Sequence, residues 1–90
     1  MGVLLVTYDL NREIVRPNIS KRLKELYPDW AKLSESSYAI ATAASVKTVQ
    51  GALRPMIDAN DNIYVITLKR PYSSFGPKEV NDWLERNLTY

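Results

Sequence analysis

Two stretches of this chain are apolar on both of their faces, which is hard to reconcile with a sheet that shows one face to water. Gly2-Val-Leu-Leu-Val-Thr-Tyr8 and Ile63-Tyr-Val-Ile-Thr-Leu68 are rich in β-branched and aromatic residues and lack the polar alternation of a half-solvated strand. Val3 and Leu5 oppose Leu4 and Val6 in the first, and Ile63 and Val65 oppose Tyr64 and Ile66 in the second. Any fold built on these strands needs cover above and below its sheet. The chain has only 90 residues, and a domain of that size buries about 60–65% of its unfolded surface.

The segments between the strands supply some of that cover. After Asp9-Leu10-Asn11, Pro17 suits the first turn of a helix in which Ile19, Leu23, Leu26 and Tyr27 share one face while Lys21 and Lys24 point away. Pro28-Asp29 stops it. Residues 30–42 are extended, and their alternation changes face at Glu35-Ser36-Ser37, as a hairpin or bulge requires. Two short antiparallel strands are expected there; one long bent strand is the alternative. Ser45 caps a second helix with Val46, Val49, Leu53, Met56 and Ile57 on one face, and Pro55 tightens its last turn. Asp58-Ala-Asn-Asp-Asn62 is a helix-to-strand turn, and it lacks the glycine and distal glutamate of a calcium loop. Pro77 opens a final helix with Val80, Trp83, Leu84 and Leu88 inward.

This order predicts a single α+β domain over residues 1–90, a ferredoxin-like sandwich of order β-α-β-β-α-β plus a C-terminal helix. Taking 30–42 as one strand would give a three-stranded parallel α/β unit instead. In the sandwich, helices cover one sheet face and leave the other bare, so the doubly apolar strands mark an interface. Either the last helix folds across that face or a second copy does, and a two-fold homodimer is the favoured expectation.

Composition narrows the chemistry. With no cysteine there is no disulfide or thiol nucleophile, and with no histidine there is no Ser-His triad and no ordinary zinc site. Any catalytic metal must be held by oxygen, which points to Mg²⁺, Mn²⁺ or Ca²⁺. The longest uncharged run, Ser36 to Val46, is too short to span a bilayer, and the N-terminus does not read as a signal peptide, so no membrane partner and a cytoplasmic location are expected. Formal net charge is +2, with the positive charge concentrated in the first two-thirds of the chain.

Asp9 stands just past a buried strand, where strand ends present functional groups. One carboxylate is a poor divalent-cation site, but a two-fold axis could pair two copies of it. The plainer reading of an aspartate there is a turn-former bonding its own backbone. Lys69-Arg-Pro-Tyr-Ser-Ser-Phe-Gly76 interleaves cations with aromatics, so Lys69, Arg70 and Tyr72 are candidates to hold nucleic acid by charge and stacking. The plainer alternative is that Tyr72 and Phe75 anchor the loop to the domain. Arg12, Arg16, Lys21 and Lys24 cluster near Asp9, with Arg12 and Arg16 as further candidates for phosphate contact and an ordinary solvated surface as the plainer alternative.

Thr7-Tyr8-Asp9-Leu10 at a strand end, followed by a basic helix and by Ser37-Tyr38-Ala39-Ile40 on a returning strand, resembles the CRISPR-associated endoribonuclease-like proteins and the virulence-associated D toxins. Leu53-Arg-Pro-Met-Ile-Asp-Ala-Asn-Asp-Asn-Ile63 is similar to a group of short bacterial and phage proteins labelled SinR-like, taken as a divergent branch of that superfamily. The resemblance implies a ferredoxin-like homodimer whose strand-end aspartate, matching Asp9, coordinates a divalent metal across the two-fold for cleavage of RNA or DNA. Two features depart from the family pattern. Residues 77–88 read as a helix where the family adds an edge strand to the partner, and the returning strand lacks the usual Ser-Val-Phe. Two functions therefore stand side by side: a Mg²⁺- or Mn²⁺-dependent endonuclease using Asp9, or a non-catalytic homodimeric module that binds nucleic acid or protein.

Overall fold

The computed structural model describes residues 1–11 and 16–90. Strand β1 (Gly2–Asp9) leads to helix α1 (Arg16–Leu26), and β2 (Trp30–Ser34) and β3 (Ser37–Thr42) follow. Helix α2 (Val46–Leu53) runs into a 3₁₀ turn over Arg54–Met56, then β4 (Asn62–Leu68) and helix α3 (Lys78–Asn87) complete the chain. The strands form one antiparallel sheet in the order β2-β3-β1-β4. Residues 30–42 are thus two strands, joined at Glu35-Ser36, with a ladder irregularity between Lys32 and Ser34.

Helices α1 and α2 lie on one face. Leu4, Val6 and Tyr8 of β1 and Tyr38 and Ile40 of β3 meet Ile19 and Leu23 of α1 and Val49 and Leu53 of α2 in one buried cluster. Ile19 and Leu23 are fully buried, as their four-residue spacing requires, and a buried side chain of this size contributes about 1.5–3 kcal/mol. Ser45 caps α2 by accepting from the Thr48 amide at 3.1 Å. Val46 departs from the expected inward face. It is 38% exposed, because the first turn of α2 precedes the point where the helix reaches the sheet. Pro55 sits in the 3₁₀ turn that tightens the end of α2.

The second face is covered by α3 over β2, β3 and the Val3–Leu68 row, and Tyr64 and Ile66 of β4 are left outside. Val3, Ala31 and Ala39 pack against Trp83, Leu84 and Leu88, with Ala41, Leu68, Tyr72 and Val80 around them. Trp83 is pinned by a second interaction, its Nε1 donating to Asp29 Oδ1 at 2.8 Å. The small side chains of Ala31, Ala39 and Ala41 let the indole approach the sheet closely. Of the two covers expected for this face, the last helix therefore takes the part nearest β2 and β3. Among the described residues no helix is long and apolar enough to cross a membrane.

Candidate functional site

Beyond the reach of α3 the second face stays open. Register places Leu5 between Ile66 and the covered Ala39, Thr7 between Tyr64 and Ser37, and Asp9 beside Asn62, all on this side of the sheet. Tyr64 is 59% exposed and Ile66 51%, high values for large apolar side chains in mid-strand. The Thr7 and Ser37 hydroxyls satisfy each other at 2.8 Å. The result is an uncharged patch with an apolar centre, and Asp9 stands exposed at its rim.

Asp9 reaches that position because β1 ends there. Beyond it the Asn11 amide donates to Asp61 Oδ1 at 2.6 Å, and Asp61 Oδ2 accepts from the Asp58 amide at 2.8 Å. The 58–62 segment is thus the turn its composition predicts, and it also ties down the chain leaving β1. Among the described residues no group of three or more acidic side chains could hold a metal ion, and the chain has no histidine or cysteine. Among the described residues Asp9 is therefore not part of a group of three or more ligands, short of the oxygen set that Mg²⁺ or Mn²⁺ takes from protein.

Lys69, Arg70 and Tyr72 are not gathered around Asp9. Asp9 pairs with Asn62 while Val3, six positions back along β1, pairs with Leu68. At about 3.4 Å per residue, Lys69 and its neighbours begin about 20 Å away, at the opposite end of the sheet. Lys69 is exposed. Arg70 is engaged with the end of α3: Nε donates to the Leu88 carbonyl at 2.8 Å, and a terminal nitrogen donates to the Glu85 carbonyl at 2.7 Å and pairs with the Glu85 carboxylate at 3.0 Å. This is the cationic cap that a helix C-terminus favours. Tyr72 is half-buried against the second cluster and donates its hydroxyl to Glu85, while the Arg70 guanidinium lies 5.3 Å from its ring centre. The loop is therefore anchored by Tyr72 and Arg70, whereas Phe75, the other expected anchor, is fully exposed.

These contacts shift the titrating groups. The hydrogen bond from Tyr72, then that from Arg70, holds the Glu85 carboxyl below its ordinary 4.5. The same bond to Glu85, with desolvation behind it, raises the Tyr72 phenol above 10.0. Arg12 lies outside the described residues. Arg16 opens α1, seven residues after Asp9 in the chain, and its side chain is likewise outside that description. Lys21 and Arg22 of α1 are exposed, and Glu25 is the one acidic residue of that helix.

The sequence alone reads Asp29 as a turn residue and Trp30 as a core or interface anchor, and it names the partner of neither. Asp29 receives the Trp83 indole. Trp30 packs edge-on against Tyr38 with ring centres 5.8 Å apart, and Lys24 Nζ lies 4.5 Å from the Trp30 ring. No local signal marks the Asp29–Trp83 contact, which joins residues 54 positions apart. No protein-family model matches the chain, and no curated protein matches its sequence.

Proposed function

We propose that this protein is a ferredoxin-like homodimer, built by stacking the open parts of two second faces, that binds nucleic acid without a complete catalytic centre in either chain. The element order and the sheet order β2-β3-β1-β4 support the fold name, as the two crossovers through α1 and α2 are those of a split β-α-β sandwich. One observation carries the dimer: Tyr64 and Ile66 stand half-exposed beside Leu5 on a surface with no charge at its centre. A second copy meets no repulsion there and removes the apolar area from water, at about 25 cal/mol per Å². The cations of α1, with Lys21 and Arg22 exposed, support an anionic ligand along the outer surface of that helix.

A second reading, as a nuclease of the CRISPR-associated endoribonuclease-like and virulence-associated D kind, is favoured by where Asp9 stands. It lies at the rim of the same patch, so a two-fold through the patch could bring two Asp9 carboxylates together. Two such carboxylates repel unless they share a proton or a cation. Mg²⁺ or Mn²⁺ held between them would neutralise charge on a phosphodiester, and Arg12 and Arg16 would position its backbone.

Labelled single-stranded RNA and duplex DNA, incubated with each metal and with wild type or Asp9→Ala, separate the two. Binding that both proteins share, without cleavage, is the expected result. Cleavage lost in a folded Asp9→Ala protein would move the conclusion to the nuclease. Failure of either protein to bind either nucleic acid at low salt would remove the ligand from the proposal.

A further inference from the structure

The opposite edge of the sheet carries a separate feature. Strand β2 is an edge strand, and α3 lies alongside it on the second face. Between them runs a groove of about 670 Å³, within the size range of ligand sites, lined from the strand by Trp30, Ala31 and Lys32 and from the helix by residues as far apart as Pro77 and Arg86.

The backbone of that edge has a definite phase. The Ala41 amide donates to the Asp29 carbonyl at 2.9 Å, and Ala31 is in register with Ala39. In an antiparallel ladder alternate pairs are bonded, so Asp29 and Ala31 face β3 while Trp30 and Lys32 turn their N–H and C=O groups outward, into the groove. Its apolar floor is Val80 with the buried Trp83.

Its charges are also selective. Lys32 is paired with Glu35 at 3.1 Å and Asp82 with Lys78 at 2.7 Å. Glu79 and Arg86 also line the groove, and neither has an ion-pair partner among the described residues. They lie seven residues apart on α3, about 10.5 Å along its axis. Side chains four apart in an extended peptide project to one side about 13 Å apart, which long basic and acidic side chains can match.

We infer that this groove receives a short extended peptide, added to β2 as a fifth strand, with a basic side chain on Glu79, an aliphatic one over Val80 and Trp83, and an acidic one on Arg86. Main-chain bonds to Trp30 and Lys32 supply the register, and the helix selects the side chains. The ladder irregularity after Lys32 keeps the straight edge to three residues, which suits a short segment better than a whole strand of a second copy.

The test titrates isotope-labelled full-length protein with fluorescein-Lys-Thr-Val-Thr-Glu-amide, read by polarisation and by amide chemical shifts. Saturable binding is expected, with shifts centred on the Trp30 and Lys32 amides. N-methylation of the peptide's central amides should abolish it. Arg86→Glu, at an exposed position, should weaken this peptide about fivefold and strengthen Lys-Thr-Val-Thr-Lys by a similar factor. No saturation by about 1 mM peptide, shifts centred on β4, or equal binding of the N-methylated peptide would overturn the inference.

Discussion

Two parts of the second sheet face are alike in their apolar sequence and meet opposite fates in the fold. On the side of β2 and β3, Ala31 and Ala39 disappear, with Val3 of β1, beneath Trp83, Leu84 and Leu88. Across the sheet, in register with Ala39 through the partly covered Leu5, Ile66 of β4 and its neighbour Tyr64 stand half-exposed. What separates them is where α3 lies, against β2 and β3 and not against the middle of β4. Ten residues rise about 15 Å, enough to shield part of a four-stranded face and no more. A strand that is apolar on both sides shows that both faces need cover; it does not show that one chain supplies all of it.

The sharpest way to break the comparison is to remove the cover that is present. Trp83→Ala should cost about 3–5 kcal/mol in urea unfolding, since it opens a cavity over the alanine patch and strips Asp29 of its donor. A loss below about 1 kcal/mol would mean that α3 is not what holds that part of the face. Leu23→Ala on the first face should fall in the same range, about 2–5 kcal/mol, as a measure of an ordinary core position.

Next come the neighbours Lys69 and Arg70, which look interchangeable in sequence. Arg70→Ala frees the Leu88 and Glu85 carbonyls and should cost about 1–2 kcal/mol. Lys69→Ala, at an exposed position, should stay within about 0.5 kcal/mol. Equal losses by thermal melting would show that the capping of α3 contributes nothing.

The smallest effect is on pH. Because the Glu85 pKa is lowered, its contribution is present above 4.5 and is lost as pH falls through the folded value. Because the Tyr72 pKa is raised, its contribution is present below 10.0 and is lost as pH rises through its folded value. The melting-temperature difference between wild type and Tyr72→Phe should therefore hold steady from pH 5 to 9 and shrink outside it. A difference that does not vary with pH would place the Tyr72–Glu85 bond outside the folded state's energetics.

Much of this architecture is local and so was open to reading from the residues. Ile19 and Leu23 recur at helical spacing, Ser45 precedes an apolar helix face, and the change of side at Glu35-Ser36 locates the hairpin between β2 and β3. The rest depends on contacts between distant segments. The periodicity of Val80, Trp83 and Leu84 defines an inward side of α3 without saying which sheet face, or which part of it, receives that side. Arg70 shows its charge in the sequence but not Glu85, its partner fifteen positions on. The position of Asp9 at a strand end was legible. That it shares a surface with Tyr64 and Ile66, and stands a sheet's length from Lys69, follows only from the pairing of β1 with β4.

The central claim is that the open part of the second face belongs to another copy, and light scattering on wild type and Ile66→Lys tests it most directly. The account predicts twice the 10.3 kDa chain mass for wild type at micromolar concentration, and a folded monomer of unchanged helix content for the variant. A wild-type monomer, or a dimer indifferent to a lysine at position 66, would contradict it.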